Sequence, residues 1–490
     1  MADLPRRAFL AGLAGLVSLP RPGGVGLEPR QSSRSLLASP AAGQPAPTGA
    51  DVWFSPFPNP ERGWHGLSSV GFDALASEGD APEEGGMAPP AAPSARRPDR
   101  PERERRRRAP ARLADFVDLR RHFAFEYYPW YATAPWYHWD EAGRVPPLDI
   151  AATSYPLLGP YDSRDLKVIE RHARWIAGAG VGTVNLSWWG RDSFTDRAAH
   201  AVIDVMRDHD VHVTFHVEPY RRDRGGHLAE DLVYLVREFG DRRGWDAMLI
   251  LEDASGRSGP VFKLFAAILP REVTDCLGRT FPVEHYVEDS SWRRQLEAAR
   301  RELAGAFDHV TVLVDSLAMP RVAAAGFDGI AIYDNFVRPA TWPVHAAAAS
   351  ARGLLFSFNV NAGFDIIRPR VRPQDPCWRP TPFEPGGREY DWTLEASREE
   401  AMRLGAGRIE ESFAATVDLQ TAPDLVNARR GFFLVYVNSW NEWHEGTQFE
   451  PMKHARDLTA VERQLGYHNA PVGDYRLSVL QRLLRGLVPG

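Results

Sequence analysis

The chain is predicted to be an α/β protein, a (β/α)8 barrel of the TIM type preceded by an export signal peptide and a disordered Pro- and Arg-rich linker. Three observations predict this. Short apolar, β-prone runs alternate with longer amphipathic stretches over roughly 350 residues, the pattern of a parallel sheet covered by helices. Eight such runs in a chain of 490 residues favour a closed barrel over an open sheet. Aromatic and carboxylate residues gather just beyond the C-terminal ends of these runs, where a barrel keeps its site.

The elements follow in chain order. Arg6-Arg7-Ala8-Phe9-Leu10 leads into a small apolar run over 11–19, a basic start and short apolar segment that read as an export signal. The run is far shorter than the ~20 residues that span a bilayer, so no membrane span is expected. The paired arginines resemble a twin-arginine signal, which implies a periplasmic or secreted protein. Residues 1–45 are therefore read as signal and flexible segment. Residues 46–117 are read as a low-complexity linker with a short aromatic stretch (Trp53, Phe54, Phe57, Trp64) and an arginine run at Arg103 and 105–108. That run sits among prolines without interleaved aromatics, the composition of solvated disorder.

Residues 118–490 form the barrel domain. Strands are predicted over 123–128, 183–188, 212–217, either 248–251 or 262–266, 310–314, 329–333, 354–359 and 432–438. Helices between them include 165–179, 197–209 and 292–307.

Composition narrows the function. Lys plus Arg total 58 against 64 Asp plus Glu, a net charge of -6, which argues against a nucleic-acid binder. Fifteen Trp suit a cleft that stacks on sugar rings, although Trp is also a core residue. Two cysteines, Cys276 and Cys377, are open to pairing in an oxidising compartment or to being unrelated, and neither has zinc-site spacing. No Gly-rich phosphate loop and no Gly-x-Ser-x-Gly elbow is present, so nucleotide and serine-hydrolase chemistry lack support.

The residues after the eighth run, Asn441-Glu442-Trp443-His444-Glu445-Gly446-Thr447, carry the chemistry. Glycosidic cleavage needs an acid for the departing oxygen and a second carboxylate as nucleophile or base. Glu442 and Glu445 are three apart, and on a helix that spacing places both on one face. Alone, such a pair is an ordinary feature of solvated helices; its place after an apolar strand and beside Trp440, Trp443 and His444 sets it apart. Glu218, after the third run, is a third carboxylate within reach. His216, Glu218, His444 and Glu445 could instead form a nitrogen–oxygen metal shell, but no histidine pair has local ligand spacing, and neither metal nor cofactor is expected.

The ordered motifs resemble glycoside hydrolase family 99, the endo-α-mannosidases and endo-α-mannanases. They are Tyr127-Tyr128-Pro129-Trp130-Tyr131, His138-Trp139, Tyr155-Pro156-Leu157-Leu158-Gly159-Pro160-Tyr161-Asp162-Ser163, Ser187-Trp188-Trp189, Phe215-His216-Val217-Glu218-Pro219-Tyr220, Phe327-Asp328-Gly329-Ile330 and the Asn441 run through Gln448. The resemblance spans about residues 120 to 455 and implies a (β/α)8 barrel with metal-independent, retaining cleavage inside an α-mannoside chain. It implies Glu442 as the base that takes the proton of the sugar's own 2-hydroxyl, giving a 1,2-anhydro sugar, and Glu445 as general acid/base. It also implies substrate contacts at Tyr128, Trp188, His216, Glu218, Tyr333 and His444.

Three loops depart from the family pattern: Leu264-Phe265-Ala266-Ala267-Ile268, Tyr333-Asp334-Asn335-Phe336-Val337-Arg338-Pro339 and Asn361-Ala362-Gly363-Phe364. Such loops choose the sugar. The expected partner is thus an oligo- or polysaccharide α-mannoside, acted on by a monomer. The alternatives are a same-fold hydrolase of another exported polysaccharide and a non-catalytic glycan-binding protein.

Overall fold

The computed structural model describes residues 118–487 apart from 222 and 284, together with Leu113 and Phe116. The expected signal and nearly all of the expected linker lie outside the described residues. Leu113 and Phe116 pack against the main core, with the Phe116 ring 5.7 Å from that of Phe433.

The barrel staves are β1 (Phe123–Tyr127), β2 (Thr183–Trp188), β3 (His212–Val217), β4 (Ser258–Leu264), β5 (Thr311–Val314), β6 (Gly329–Ile332), β7 (Leu355–Phe358, continued by Val360–Asn361) and β8 (Val435–Asn438). All pair in parallel with their chain neighbours, and β8 returns to β1 with Val435 beside Phe123. The first part of β7 pairs with β6 and the second with β8, so the sheet closes around a break at Asn359. Around it lie α1 (Leu166–Ala179), α2 (Phe194–Asp208), α3 (Arg224–Leu235), α4 (Asp289–Leu303), α5 (Met319–Ala324), α6 (Trp342–Ala351), α7 (Glu395–Thr421) and α8 (Tyr475–Leu487). Among the described residues no helix is long and apolar enough to cross a membrane.

Local chemistry sets the boundaries. Asp165 caps α1 by accepting from the Lys167 N–H, and Gly180 ends it in the left-handed region. Ile169, Ala173 and Ile176 recur at helical spacing on its buried face. The fourth stave, left open between 248–251 and 262–266, is Ser258–Leu264. Ile250–Glu252 pairs antiparallel to it instead. The reason is a turn: the Asp253 carboxylate accepts from the N–H groups of Ser255 and Arg257, and Gly256 supplies a positive φ of 79°.

Side-chain alternation along the staves divides the interior. Phe123, Phe125, Val184, Leu186, Trp188, Val213, Phe215, Val217, Phe262, Leu264, Val435 and Val437 face the helices in the main core. Ala124, Val261, Leu313, Ala331, Leu355, Leu434 and Tyr436 fill the barrel. Above this plug the inward register turns polar, with Glu126, Asn185, His216, Lys263 and Ser357 all buried.

Lys263 Nζ donates to Glu126 Oε1, and Asn185 donates to Glu126 Oε2 at 2.7 Å. The ammonium also lies 4.7 Å from the Tyr436 ring centroid. Burial alone would raise the Glu126 carboxyl, but Lys263 and His216 outweigh it and hold it down at about 2. Lys263→Met strands that carboxylate in the barrel and is expected to cost about 3–5 kcal/mol of stability. Adding Glu126→Gln should restore part of the loss; denaturant titration of the three variants checks this.

Two excursions rise from the C-terminal rim. The loop after β4 carries a hairpin of Glu272–Thr274 with Thr280–Pro282, and the loop after β7 pairs Phe364 with Glu384 in both directions. Cys276 in the first and Cys377 in the second form a disulfide, which settles the pairing that the sequence left open.

Candidate active site

The eighth stave delivers the chain to Ser439, whose hydroxyl accepts from the Glu442 N–H at 2.8 Å. The Ser439 N–H donates to Thr447 O at 3.1 Å, and Trp440 N–H to Glu126 O at 2.7 Å. These bonds make a tight turn over 443–446 rather than the helix that would put Glu442 and Glu445 on one face. The hydroxyl and the strand carbonyl take the partners a helix would need. Gly446 sits at φ +62°, where an added Cβ would lie 2.5 Å from Asp365 O. The β7 excursion can therefore press against the turn, with Asp365 N–H donating to Glu445 O and Ile367 N–H to His444 O, both at 2.8 Å.

Glu442 is buried, and its Oε1 lies 3.1 Å from His444 Nδ1. His444 Nε2 lies 2.8 Å from the carbonyl oxygen of His138, which can only accept, so Nε2 carries a proton. Burial lowers the basicity of this imidazole, yet the nearby Glu442 and Glu141 carboxylates outweigh it and raise its pKa above 6.5. With Nε2 turned to the His138 carbonyl, Nδ1 is the nitrogen that faces the Glu442 carboxylate.

Glu445 stands in the half-exposed mouth. Its Oε2 accepts from Tyr333 OH at 2.9 Å, and Tyr333 OH accepts from Tyr128 OH at 3.0 Å. Burial, then the charge of Glu445, push the Tyr333 phenol well above its ordinary range, so it remains a donor. Two carboxyl groups beside one turn thus have different surroundings, one facing an imidazole and one facing a phenol. Unlike environments of this kind are how two acids take separate roles.

The other expected contacts separate. Ser187 OH donates to Glu218 Oε1 at 2.7 Å, and His216 Nδ1 lies 3.1 Å from Glu126 Oε2 and 4.0 Å from Glu218 Oε1. The His216 ring centroid is 5.8 Å from that of Tyr333, which joins this wall to Glu445. Trp188 is a correction. It lies on the outward phase of β2, buried against the helices, with its indole N–H donating to Asp196 Oδ1 at 2.7 Å. Its neighbour Trp189 is half-buried, and its indole N–H reaches Ser187 Oγ at 3.0 Å on the cleft side. The inward polar pair Asn185 and Ser187 was the sequence signal that could have set this phase. Trp188→Phe is expected to lower stability by about 1–3 kcal/mol and leave KM unchanged. Trp189→Ala should raise KM with the melting temperature little moved; paired kinetics and thermal melts check both.

The sequence placed His138 in a family motif but gave it no site role; its Nδ1 lies 2.6 Å from Glu141 Oε1 and its ring stacks on Trp130 at 4.6 Å. His138, Glu141 and His444 bring possible ligand atoms within 4.8 Å of one another, a different set from the His216, Glu218, His444 and Glu445 shell. A cation there would have to displace the His444 contacts to Glu442 and to the His138 carbonyl.

Comparison with known proteins adds to this geometry. Residues 121–250 match the model of Glycosyl hydrolase family 99. The glycoprotein endo-alpha-1,2-mannosidase of Mus musculus is 26% identical over 333 residues, covering 64% of this chain and 61% of the relative. The glycoprotein endo-alpha-1,2-mannosidase-like protein of Danio rerio is 26% identical over 360 residues, covering 66% and 69%. The alignment thus spans about three fifths of the mouse relative. A solved family 99 endo-alpha-mannosidase from Bacteroides thetaiotaomicron aligns with a TM-score of 0.53 at 20% identity, over 75% of this chain and 99% of that one, and shows the same fold.

Proposed function

We propose, from the support that the family match, the curated relatives and the solved fold lend to glycoside hydrolase family 99, that this chain is a retaining endo-acting α-mannoside hydrolase. The observation that carries the reading is the asymmetric pair on the turn after β8: Glu442 against His444, Glu445 against Tyr333.

In the proposed reaction Glu442 removes the proton of the sugar 2-hydroxyl as that oxygen closes on the anomeric carbon. Glu445 protonates the departing glycosidic oxygen, leaving a 1,2-anhydro sugar. Glu445 then takes a proton from water as the water opens the ring, and Glu442 returns its proton to the 2-oxygen. Two displacements at one carbon retain its configuration. His444 supports the first step by orienting Glu442 Oε1, and Tyr333 with Tyr128 holds Glu445 in one orientation. His216, Glu218 and Trp189 line the neighbouring wall, where a sugar ring would rest.

Export is part of the proposal. The Arg6-Arg7 start supports it, and the Cys276–Cys377 bridge suits an oxidising compartment. Digestion of a glycan panel by the purified protein tests the function. Internal cleavage of α-mannan or mannose-capped oligosaccharides is expected; products only from non-mannose glycans would redirect the substrate, and binding without products would remove the enzyme.

A further inference from the structure

We propose that Glu450, bonded to Tyr161 and Trp443, is a positioning residue that fixes the turn bearing Glu442 and Glu445. This rests on the reading of that turn as the catalytic one. Glu450 and His172 are both fully buried, and neither reaches the mouth where Glu445 stands. Glu450 Oε2 accepts from Tyr161 OH at 2.7 Å and from Trp443 Nε1 at 3.2 Å. Its Oε1 lies 3.2 Å from His172 Nε2, and His172 Nδ1 lies 2.9 Å from Tyr127 OH.

One carboxylate therefore holds groups on both sides of Glu442. Trp443 separates the two catalytic glutamates, and its buried indole is held by Glu450 while its backbone N–H donates to Tyr131 OH at 3.2 Å. On the other side, Tyr161 OH accepts from Asn441 Nδ2 at 3.1 Å, and Asn441 Oδ1 accepts from the Tyr128 N–H at 2.7 Å. His172 belongs to α1, in the helix layer. The latch thus sets a turn at the barrel mouth against the helix layer, through a buried carboxyl whose Oε2 is satisfied by two donors. An amide could also accept from Trp443 and Tyr161 through its oxygen, but it would turn an NH2 group toward His172 Nε2, 3.2 Å from the present Oε1. Because a displacement of about 1 Å at reacting groups can cost ~100-fold in rate, the latch bears on turnover rather than on binding.

The full chain tests this with Glu450→Gln, Tyr161→Phe and His172→Gln. Readouts are kcat and KM on a glycan that the wild type cleaves, and the indole N–H resonance of Trp443. Glu450→Gln is expected to lower kcat roughly 10- to 100-fold with KM within about twofold, and to move the Trp443 resonance upfield. Tyr161→Phe, which removes one donor and leaves the carboxyl and its Trp443 bond in place, should act in the same direction more weakly and decides the matter if Glu450→Gln fails to fold. The double variant of His172 and Glu450 should be no worse than the Glu450 variant alone. A shifted Trp443 resonance with unchanged kcat would overturn the proposal, as would an unmoved resonance. If the wild type cleaves no glycan, the functional reading falls and the latch is judged by resonances alone. Shifts that spread to the Glu442 and Glu445 amides then support it, and shifts confined to Trp443 overturn it.

Discussion

Glu445→Gln is expected to lower kcat on an α-mannoside chain by at least ~100-fold, the loss typical of removing a positioned acid/base group. The amide keeps the size of the side chain and can still accept from Tyr333 OH, so KM and stability should change little. What it loses is the proton for the leaving oxygen. An α-mannobiosyl fluoride, whose fluoride departs without protonation, should therefore keep most of its first-step rate. A similar loss on both substrates would mean that Glu445 does not act as the acid.

Glu442→Gln is expected to be as severe, again at least ~100-fold, but on both substrates, because the 2-hydroxyl must be deprotonated whatever group departs. The wild type should correspondingly fail on a substrate lacking that hydroxyl. A second readout comes from His444. Its raised pKa contributes stability that is fully present below the ordinary value of 6.5 and is lost as pH rises through the folded value. Without the Glu442 carboxylate that contribution shrinks, so the melting temperature of the variant should depend less on pH across this range than that of the wild type.

The barrel was legible in the sequence where local chemistry agrees with tertiary position. The staves Thr183–Trp188 and His212–Val217 have the expected ends because each is a β-prone run bounded by breakers. The fourth stave was ambiguous because 248–251 and 262–266 are both β-prone, and only pairing distinguishes a stave from a hairpin arm. Glu442, Glu445, Tyr128, Tyr333 and His444 come together at the mouth because strand ends deliver them there. Trp188 failed on phase, since a shift of one residue along a strand moves a side chain from the mouth to the helix layer. The turn around Glu442 was not foreseen because it depends on the Ser439 hydroxyl and on the approach of Asp365. Contacts between distant parts of the chain were beyond reach: His138 with His444, His172 with Glu450, and Cys276 with Cys377 are set by the closure of the barrel and its loops.

The most direct measurement is the configuration of the first-formed product, followed by proton NMR during digestion of α-mannan. Two successive displacements, with Glu442 acting through the 2-oxygen and Glu445 acting twice, predict that the α-anomer accumulates first and mutarotates later. First appearance of the β-anomer would mean a single displacement by water and would contradict the roles given to both carboxylates.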